Sequence, residues 1–255
     1  AEGDVIYVKI STFNEQTHAN LVRTLDGLKK AAGKKDETAV VYPDGAPGRV
    51  MLVGVGKDPD RAALRRGAAV AAKRARVLGS GTAALHVPVS CRGTVSVSHV
   101  FQALAEGVSY GAWQFVEMRR PPEEPKEPLT AVELLAVAGE QVEAEAGQAM
   151  GAAVGAGQAF ARGVQVLPPN VCSPARLAEI ATELAGRHGM ECTVFDRARI
   201  EAEGLGALLA VGKGSAAEPR FIALEYQGGN GAPVVLVGKG VTFDTGGISI
   251  KPAPS

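Results

Sequence analysis

Neither sign of charge is in excess in this sequence. Lysine plus arginine number 27 and aspartate plus glutamate number 27, so the formal net charge at neutral pH is zero. A protein whose main partner is nucleic acid or an anionic membrane usually carries a basic surplus. The composition therefore argues against either of these as the dominant partner.

Cysteines are few, and long apolar runs are missing. Cys91, Cys172 and Cys192 form an odd-numbered set without CxxC spacing, which is typical of reduced thiols in a cytoplasmic protein. No apolar stretch approaches the roughly 20 residues that span a bilayer, and the first residues, Ala-Glu-Gly-Asp, do not resemble a signal peptide. We therefore expect a cytoplasmic protein without a membrane partner.

Histidine is also scarce, and its spacing excludes the common histidine metal motifs. The four histidines make no HxxxH or HExxH set, and each is interpreted as an ordinary surface or core residue: His18, His86, His99 and His188.

Apolar patterns in the first half of the chain predict alternating strands and helices. Asp58 is expected to cap the second helix, and Gly79 is expected to end it. The pattern favours an N-terminal α/β domain with a mixed or parallel sheet over residues 1–138. The expected strands are 5–10, 38–42, 50–55, 83–89 and 131–137, and the expected helices are 20–32, 59–78 and 97–115.

Residues 139–166 are rich in alanine and glycine, and we interpret them as a connecting helix whose small side chains allow close packing. A flexible linker is the alternative, because each glycine weakens a helix by about 1 kcal/mol relative to alanine. Residues 167–255 are expected to form the first part of a second α/β domain with a mainly parallel sheet. Its helix should start at Ser173-Pro174, and its strands should lie at 191–195, 221–226 and 234–237.

A glycine-rich loop follows the apolar run 234–237 and carries Lys239, Asp244 and Lys251. Polar residues that follow a buried parallel strand lie at the carboxyl edge of the sheet, where open α/β folds place their sites. A lysine binds metal only as the neutral amine, a form that desolvation and a nearby dication favour. The segment therefore predicts a metal site. The alternative is that the lysines are solvated and Asp244 is a turn residue.

The stretch VGKGVTFDTGGISIKPA at 237–253 is similar to the metal-binding signature of the leucyl aminopeptidases, dinuclear metallopeptidases of the M17 type. Two upstream segments agree with the same family in the same order. They are LPPNVCSP at 167–174 and LAVGKGS at 209–215, the latter followed by EPRFIALEY at 218–226.

This resemblance implies a role for each residue of the loop. Lys239 would bind the tighter metal, Asp244 would bridge both metals, and Lys251 would stay protonated and stabilise the developing oxyanion. A metal-bound water would be the nucleophile. The implied cofactors are two divalent ions, zinc or manganese, and the implied substrates are peptides with a leucine-like N-terminal residue. The resemblance also implies a homo-oligomer, because relatives in this family are hexamers.

The family also has further carboxylate ligands and a catalytic arginine, which are expected beyond Ser255. We therefore interpret the chain as the N-terminal portion of the enzyme, ending inside its catalytic domain and inactive by itself.

Three other patterns have competing interpretations. Residues 54–57 and 212–215 resemble phosphate loops, but neither fits GxxxxGK[ST]. The basic residues of one predicted helix are interpreted as a solvated face: Arg61, Arg65, Arg66, Lys73, Arg74 and Arg76.

The alternative function for the chain is a non-catalytic subunit or a DNA-binding, regulatory module, because some members of the family bind DNA.

Overall fold

The computed structural model describes residues 4–10, 35–42 and 48–242 of the chain. The chain divides into two compact units, residues 1–163 and 164–255. The helix predicted at 20–32 lies outside the described residues, and so do most of the turn between the second and third strands and the last 13 residues. The functional division of the chain at 138 and 166 stays a prediction.

The described part of the first unit contains a five-stranded mixed sheet with strand order β2-β3-β1-β4-β5. Strand β3 pairs antiparallel with both β2 and β1, β1 pairs antiparallel with β4, and β4 pairs parallel with β5. The expected α/β class is therefore confirmed, with a mixed sheet in this unit. The strands are β1 (Asp4–Ile10), β2 (Thr38–Val41), β3 (Arg49–Gly56), β4 (Thr82–His86) and β5 (Ala131–Leu135).

Two helices, α1 (Arg61–Val77) and α2 (Val97–Ala112), pack beside each other in this unit. A short 3₁₀ turn (Val89–Cys91) precedes α2. The N-cap of α1 is Asp60, whose carboxylate accepts from the Ala63 amide at 2.7 Å. The prediction of Asp58 as the cap was wrong, because Asp58 adopts a positive φ of 50° in the turn before the helix.

The core of the first unit lies between these helices and the sheet. Its largest fully buried side chains include Met51 and Leu85 from the strands, Leu64 from α1, and Phe101 and Leu104 from α2. On α2, the side chains that enter this core include Val100, Phe101 and Leu104. The helix predicted at 97–115 extended too far, because α2 ends at Ala112 and Trp113 already has extended backbone angles.

Glu106 of α2 is a buried carboxylate that joins the two helices. Its side chain is 4% exposed and receives hydrogen bonds from Arg61 at 3.1 Å, Arg65 at 3.0 Å and Gln102 at 2.9 Å. Burial alone would raise the pKa of Glu106, but these three donors outweigh it and hold the pKa below its ordinary value. Two arginines predicted to be solvated therefore neutralise a buried charge.

Residues 141–166 form one continuous helix, α3 (Gln141–Val166), rather than a flexible linker. Its glycines at 147, 151 and 155 face α2 so closely that side chains there would overlap the backbone of Ser98, the backbone of Gln102 and the side chain of Ser109. The expected close packing of small residues is confirmed at these positions.

The second unit contains three helices and a two-stranded sheet in its described residues. Ser173 caps the first helix by accepting from the Arg176 amide at 3.3 Å, and Gly189 ends it with a φ of 64°. The elements are α4 (Pro174–His188), β6 (Glu191–Phe195), α5 (Arg197–Ala202), α6 (Gly206–Gly212) and β7 (Phe221–Glu225).

The expected parallel pairing is not the one observed in this unit, because β6 and β7 pair antiparallel, with Glu191 opposite Glu225. The rings of Phe195 and Phe221 also pack, with centroids 5.2 Å apart. The long connection through α5 and α6 carries the chain back along β6 in the opposite direction, so a run of strand, helix and strand did not specify the orientation.

The prediction of a strand at residues 234–237 was also wrong. These four apolar residues have no regular secondary structure, and Val234 and Val237 are 86% and 94% exposed. A strand forms only when a neighbour accepts and donates its backbone hydrogen bonds. Within the described part of the chain, none of its strands pairs with this segment. No described helix has both the length and the apolarity to cross a membrane.

We expect Gly151→Ala to lower the free energy of unfolding by about 1–3 kcal/mol, because the new methyl group would overlap the Gln102 carbonyl. Gly157→Ala in the same helix is the matched control, since nothing lies within 4 Å of its added carbon. That control should be neutral or stabilising by up to about 1 kcal/mol. Urea unfolding followed by circular dichroism measures both, and equal effects at the two sites would contradict the α2–α3 contact.

Glu106→Gln should destabilise the first unit at neutral pH by about 1–3 kcal/mol, since it removes the charged acceptor of two arginines. The pKa of Glu106 in the folded protein lies below its ordinary value of 4.5, so the stabilisation by its charged form is complete above pH 4.5. This stabilisation is lost as the pH falls through the pKa of the folded protein. The difference between the two proteins in urea unfolding should therefore shrink in acid, and a constant difference from pH 7 to pH 3 would refute this account.

The exposed 234–237 segment should make the purified chain self-associate, because unpaired apolar backbone favours edge-to-edge pairing. Leu236 is the test position, because it is 91% exposed. Leu236→Lys should reduce both the light scattering and the weight-average mass measured by analytical ultracentrifugation. Val116→Lys is the control, since Val116 is 70% exposed in a different loop. Equal self-association of the two variants would show that the segment is not responsible.

Candidate metal centre

Lys239 is the one predicted site residue that the structure describes. It lies in an exposed loop, and its carbonyl accepts from the Val241 amide at 3.1 Å. The next residue, Gly240, lies over α4, since a side-chain carbon there would stand 3.5 Å from Leu177. The loop is therefore close to α4 while the Lys239 side chain is in solvent.

Asp244 and Lys251 lie outside the described residues. The prediction that Lys239 and Asp244 converge on one cation therefore stays a prediction, and so does the separate role of Lys251. The predicted placement at the carboxyl end of a strand does not hold for Lys239, because residues 234–237 are not a strand.

The described residues do not fit a metal ion by themselves. No group of three histidine, cysteine, aspartate or glutamate side chains gathers at a common point in them. Lysine is a ligand only when desolvation or a dication favours its neutral form, and Lys239 is exposed. A complete donor set therefore needs oxygen ligands in addition to these residues.

The upstream LPPNVCSP segment forms a turn that starts α4. The Pro168 carbonyl accepts from the amides of both Val171 and Cys172 at 2.9 Å, and Cys172 is buried. Ser173 then caps the helix. The structure gives this segment a folding role, since it sets the position of the helix against which the Lys239 loop lies.

The LAVGKGS segment is not a phosphate loop. Leu209 to Gly212 belong to α6, and the Ser215 amide donates to the Gly212 carbonyl at 3.1 Å in the turn that ends the helix. The Ser215 hydroxyl is used locally, where it accepts from the Ala217 amide at 3.1 Å. Helical geometry followed by one closed turn leaves no ring of backbone amides for a phosphate.

The sequence interpretation missed the ionic contact that holds the start of α3. Arg92 is buried and donates through Nη1 to both carboxylate oxygens of Glu140, at 2.9 and 2.7 Å. Its Nε donates to the Val87 carbonyl at 3.1 Å. The hydrogen bonds from Arg92 hold the pKa of Glu140 below its ordinary value. No local pattern signals this pair, since 48 residues separate its members.

It also missed how Arg162 of α3 is held. Its guanidinium lies 4.2 Å from the centre of the Tyr110 ring and 4.0 Å from that of Trp113. It also donates to the Tyr110 carbonyl at 3.1 Å. These contacts fix the end of α2 to α3.

Comparison with known proteins identifies the two parts of the chain separately. Residues 8–122 match the family model described as the N-terminal domain of the cytosol aminopeptidase family, and residues 159–255 match that of its catalytic domain. The second match contains the whole glycine-rich loop with Lys239, Asp244 and Lys251.

Curated relatives agree with the family models. A probable cytosol aminopeptidase of Roseiflexus castenholzii is 42% identical over 230 residues, which cover 87% of this chain and 46% of the relative. One of Syntrophotalea carbinolica is 40% identical over 247 residues, covering 92% of this chain and 48% of the relative. The chain thus spans about half the length of the curated relatives it matches.

Solved structures show the same fold. A mutant of tomato leucine aminopeptidase superposes with a TM-score of 0.66 at 25% identity, over 84% of this chain and 44% of that one. The bottromycin maturation enzyme BotP in complex with Mn gives 0.67 at 23% identity, over 85% and 43%. With both of its parts matched in the family's order, the chain belongs to the cytosol aminopeptidase family.

Proposed function

We propose that the protein acts as a metal-dependent aminopeptidase that removes leucine-like residues from the N-termini of peptides. The observation that carries this proposal is the match of residues 159–255 to the family's catalytic domain, which includes the loop with two lysines and an aspartate. Hydrolysis of an N-terminal residue is the activity for which the family is named. The chain covers about half of its relatives, so the proposal concerns the activity of the whole protein.

In this proposal, Lys239 and Asp244 hold two divalent ions, zinc or manganese. A neighbour in fold is described as a complex with Mn, which supports manganese as one candidate. When bound, such ions supply Lewis acidity for peptide hydrolysis. The exposed Lys239 loop would have to become less solvated on binding, because desolvation favours the neutral amine that can act as a ligand.

Lys251 has a different proposed role. As an ammonium group it would donate a hydrogen bond to the oxygen of the scissile carbonyl, on which negative charge develops. This role needs a protonated lysine beside a cation site, so Lys251 should lie farther from the ions than Lys239 does. The two lysines of one loop then separate into a ligand and a donor.

A DNA-binding or regulatory module without activity is the second candidate. It has one specific observation in its favour, since α1 carries six basic residues and no acidic one, and Arg66, Lys73 and Arg74 are exposed. Against it, Arg61 and Arg65 are occupied by Glu106, and the net charge is zero.

We also propose, from the resemblance, that the whole protein is a cytoplasmic hexamer.

Lys251→Ala in the intact protein should keep both metal ions but lower the turnover number by about 10²–10³, the usual effect of losing one preorganised donor. Lys239→Ala should instead release the tighter ion and lose activity with it. Lys213→Ala is the control, because Lys213 is an exposed residue at the end of α6, outside the signature loop. Elemental mass spectrometry measures metal content, and hydrolysis of a leucyl anilide measures activity.

The opposite pattern, metal loss in Lys251→Ala with full occupancy in Lys239→Ala, would overturn the assignment of the two lysines. An intact protein with bound metal but no hydrolysis of any N-terminal residue would favour the non-catalytic alternative. Equal losses in all three variants would indicate general misfolding, which circular dichroism of each variant detects.

A further inference from the structure

A cleft on the first unit lies apart from the signature loop. It is open to solvent and has a volume of about 530 Å³. It lies at one edge of the mixed sheet, where β2 ends and β3, β4 and β5 begin. Its polar side chains belong to Tyr42, Arg49, Ser80, Thr82, Glu127 and Thr130.

The wall formed by the Gly79–Gly81 turn is fixed by hydrogen bonds. The carbonyl of Leu78 accepts from Arg49 Nη1 at 2.9 Å, and that of Val77 accepts from Lys126 Nζ at 2.7 Å. The Gly81 carbonyl accepts from both the amide and the hydroxyl of Thr130, at 2.8 and 2.9 Å. The carbonyls of Val77, Leu78 and Gly81 are therefore already occupied.

Ser80 is the exception within this turn. The residue is 2% exposed and lines the cleft, and its hydroxyl has no hydrogen-bond partner among the described residues. A buried hydroxyl without a partner is costly and is rarely kept in a native structure. A rotation of this side chain towards the cleft would let a polar atom of a bound molecule provide the missing partner.

Two opposite charges line the same cleft. Arg49 uses one nitrogen on Leu78, and its remaining nitrogens can donate elsewhere. Glu127 makes no hydrogen bond or ion pair within the described residues, and its carboxylate contacts Gly81, where a side chain would overlap it. A simple anion would face Glu127, and a simple cation would face Arg49. A molecule that carries both charges satisfies both walls.

We propose that this cleft binds a free α-amino acid. Its carboxylate would be received by Arg49, its ammonium group by Glu127, and the Ser80 hydroxyl would complete the hydrogen bonds to the carboxylate. Charge-assisted hydrogen bonds of this kind are the strong ones, so both charges of the ligand should be needed. The proposal does not depend on the aminopeptidase activity, because all of its residues belong to the first unit.

Isothermal titration of the purified protein tests the proposal with L-leucine, 4-methylpentanoate and 3-methylbutylamine as probes. The last two lack the ammonium and the carboxylate, respectively. L-leucine should bind saturably, and each single-charge analogue should bind at least about tenfold more weakly. Lys239→Ala should leave this binding unchanged, which separates the cleft from the candidate metal centre.

Three variants localise the binding. Glu127→Gln and Ser80→Ala should each weaken L-leucine binding by about tenfold or more. Glu124→Gln is the matched control, since Glu124 is exposed on the same loop but does not line the cleft. Ser80→Ala should not lower the melting temperature, because it removes a buried hydroxyl without a partner, so its effect on binding can be read in a folded protein.

Several results would overturn the proposal. These are the absence of saturable binding at millimolar L-leucine, or binding that survives both Glu127→Gln and Ser80→Ala. Binding that disappears in Lys239→Ala would place the amino acid at the metal centre instead. Equal affinity for 4-methylpentanoate and L-leucine would mean that the cleft accepts a carboxylate alone, which contradicts the assigned role of Glu127.

Discussion

The buried carboxylate of Glu106 is the interaction on which the first unit depends most. A charge at 4% exposure is tolerated only with partners, and here two arginines of α1 and a glutamine of α2 supply them. Because the donors come from both helices, the contact fixes how α1 and α2 lie against each other. Those helices in turn cover the strands from which Met51 and Leu85 enter the core.

The same logic of close contact continues into α3. The glycines that face α2 lower the intrinsic helix propensity of α3. They nevertheless allow the α3 backbone to approach α2 at points where no side chain would fit. Arg92 and Glu140 hold the start of α3, and Arg162 with its two aromatic rings holds a point near its end. A helix with little intrinsic stability is thus attached at both ends, which explains why it forms where a linker was the alternative.

Local patterns in the sequence predicted what local forces decide. The helix start at Ser173-Pro174 and the helical state of residues 141–166 depend on neighbours along the chain, and they are confirmed. Asp58 and Asp60 are both good N-caps by type, and only the backbone angles at the turn distinguish them. The antiparallel β6–β7 pair depends on the route of the connection between the strands, which apolar periodicity does not encode.

For the candidate site, the sequence was informative about residue types rather than positions. The order of lysine, aspartate and lysine across a glycine-rich loop indicated the family, and the family models confirm that membership. The exposed state of Lys239 could not be predicted, because burial of residues 234–237 depends on strands that pair with them. Contacts between residues far apart in sequence, such as Arg92 with Glu140, were beyond the reach of periodicity for the same reason.

Arg162 between Tyr110 and Trp113 has a consequence for spectroscopy. Trp113 is the single tryptophan of the chain, so emission excited selectively at the red edge of the absorption band comes from one indole. That indole lies 4.0 Å from a guanidinium at the junction of α2 and α3. Its emission therefore reports on the local field at that junction, and the second unit, with Phe195, Phe221 and Tyr226 as aromatic residues in its described part, does not contribute to it.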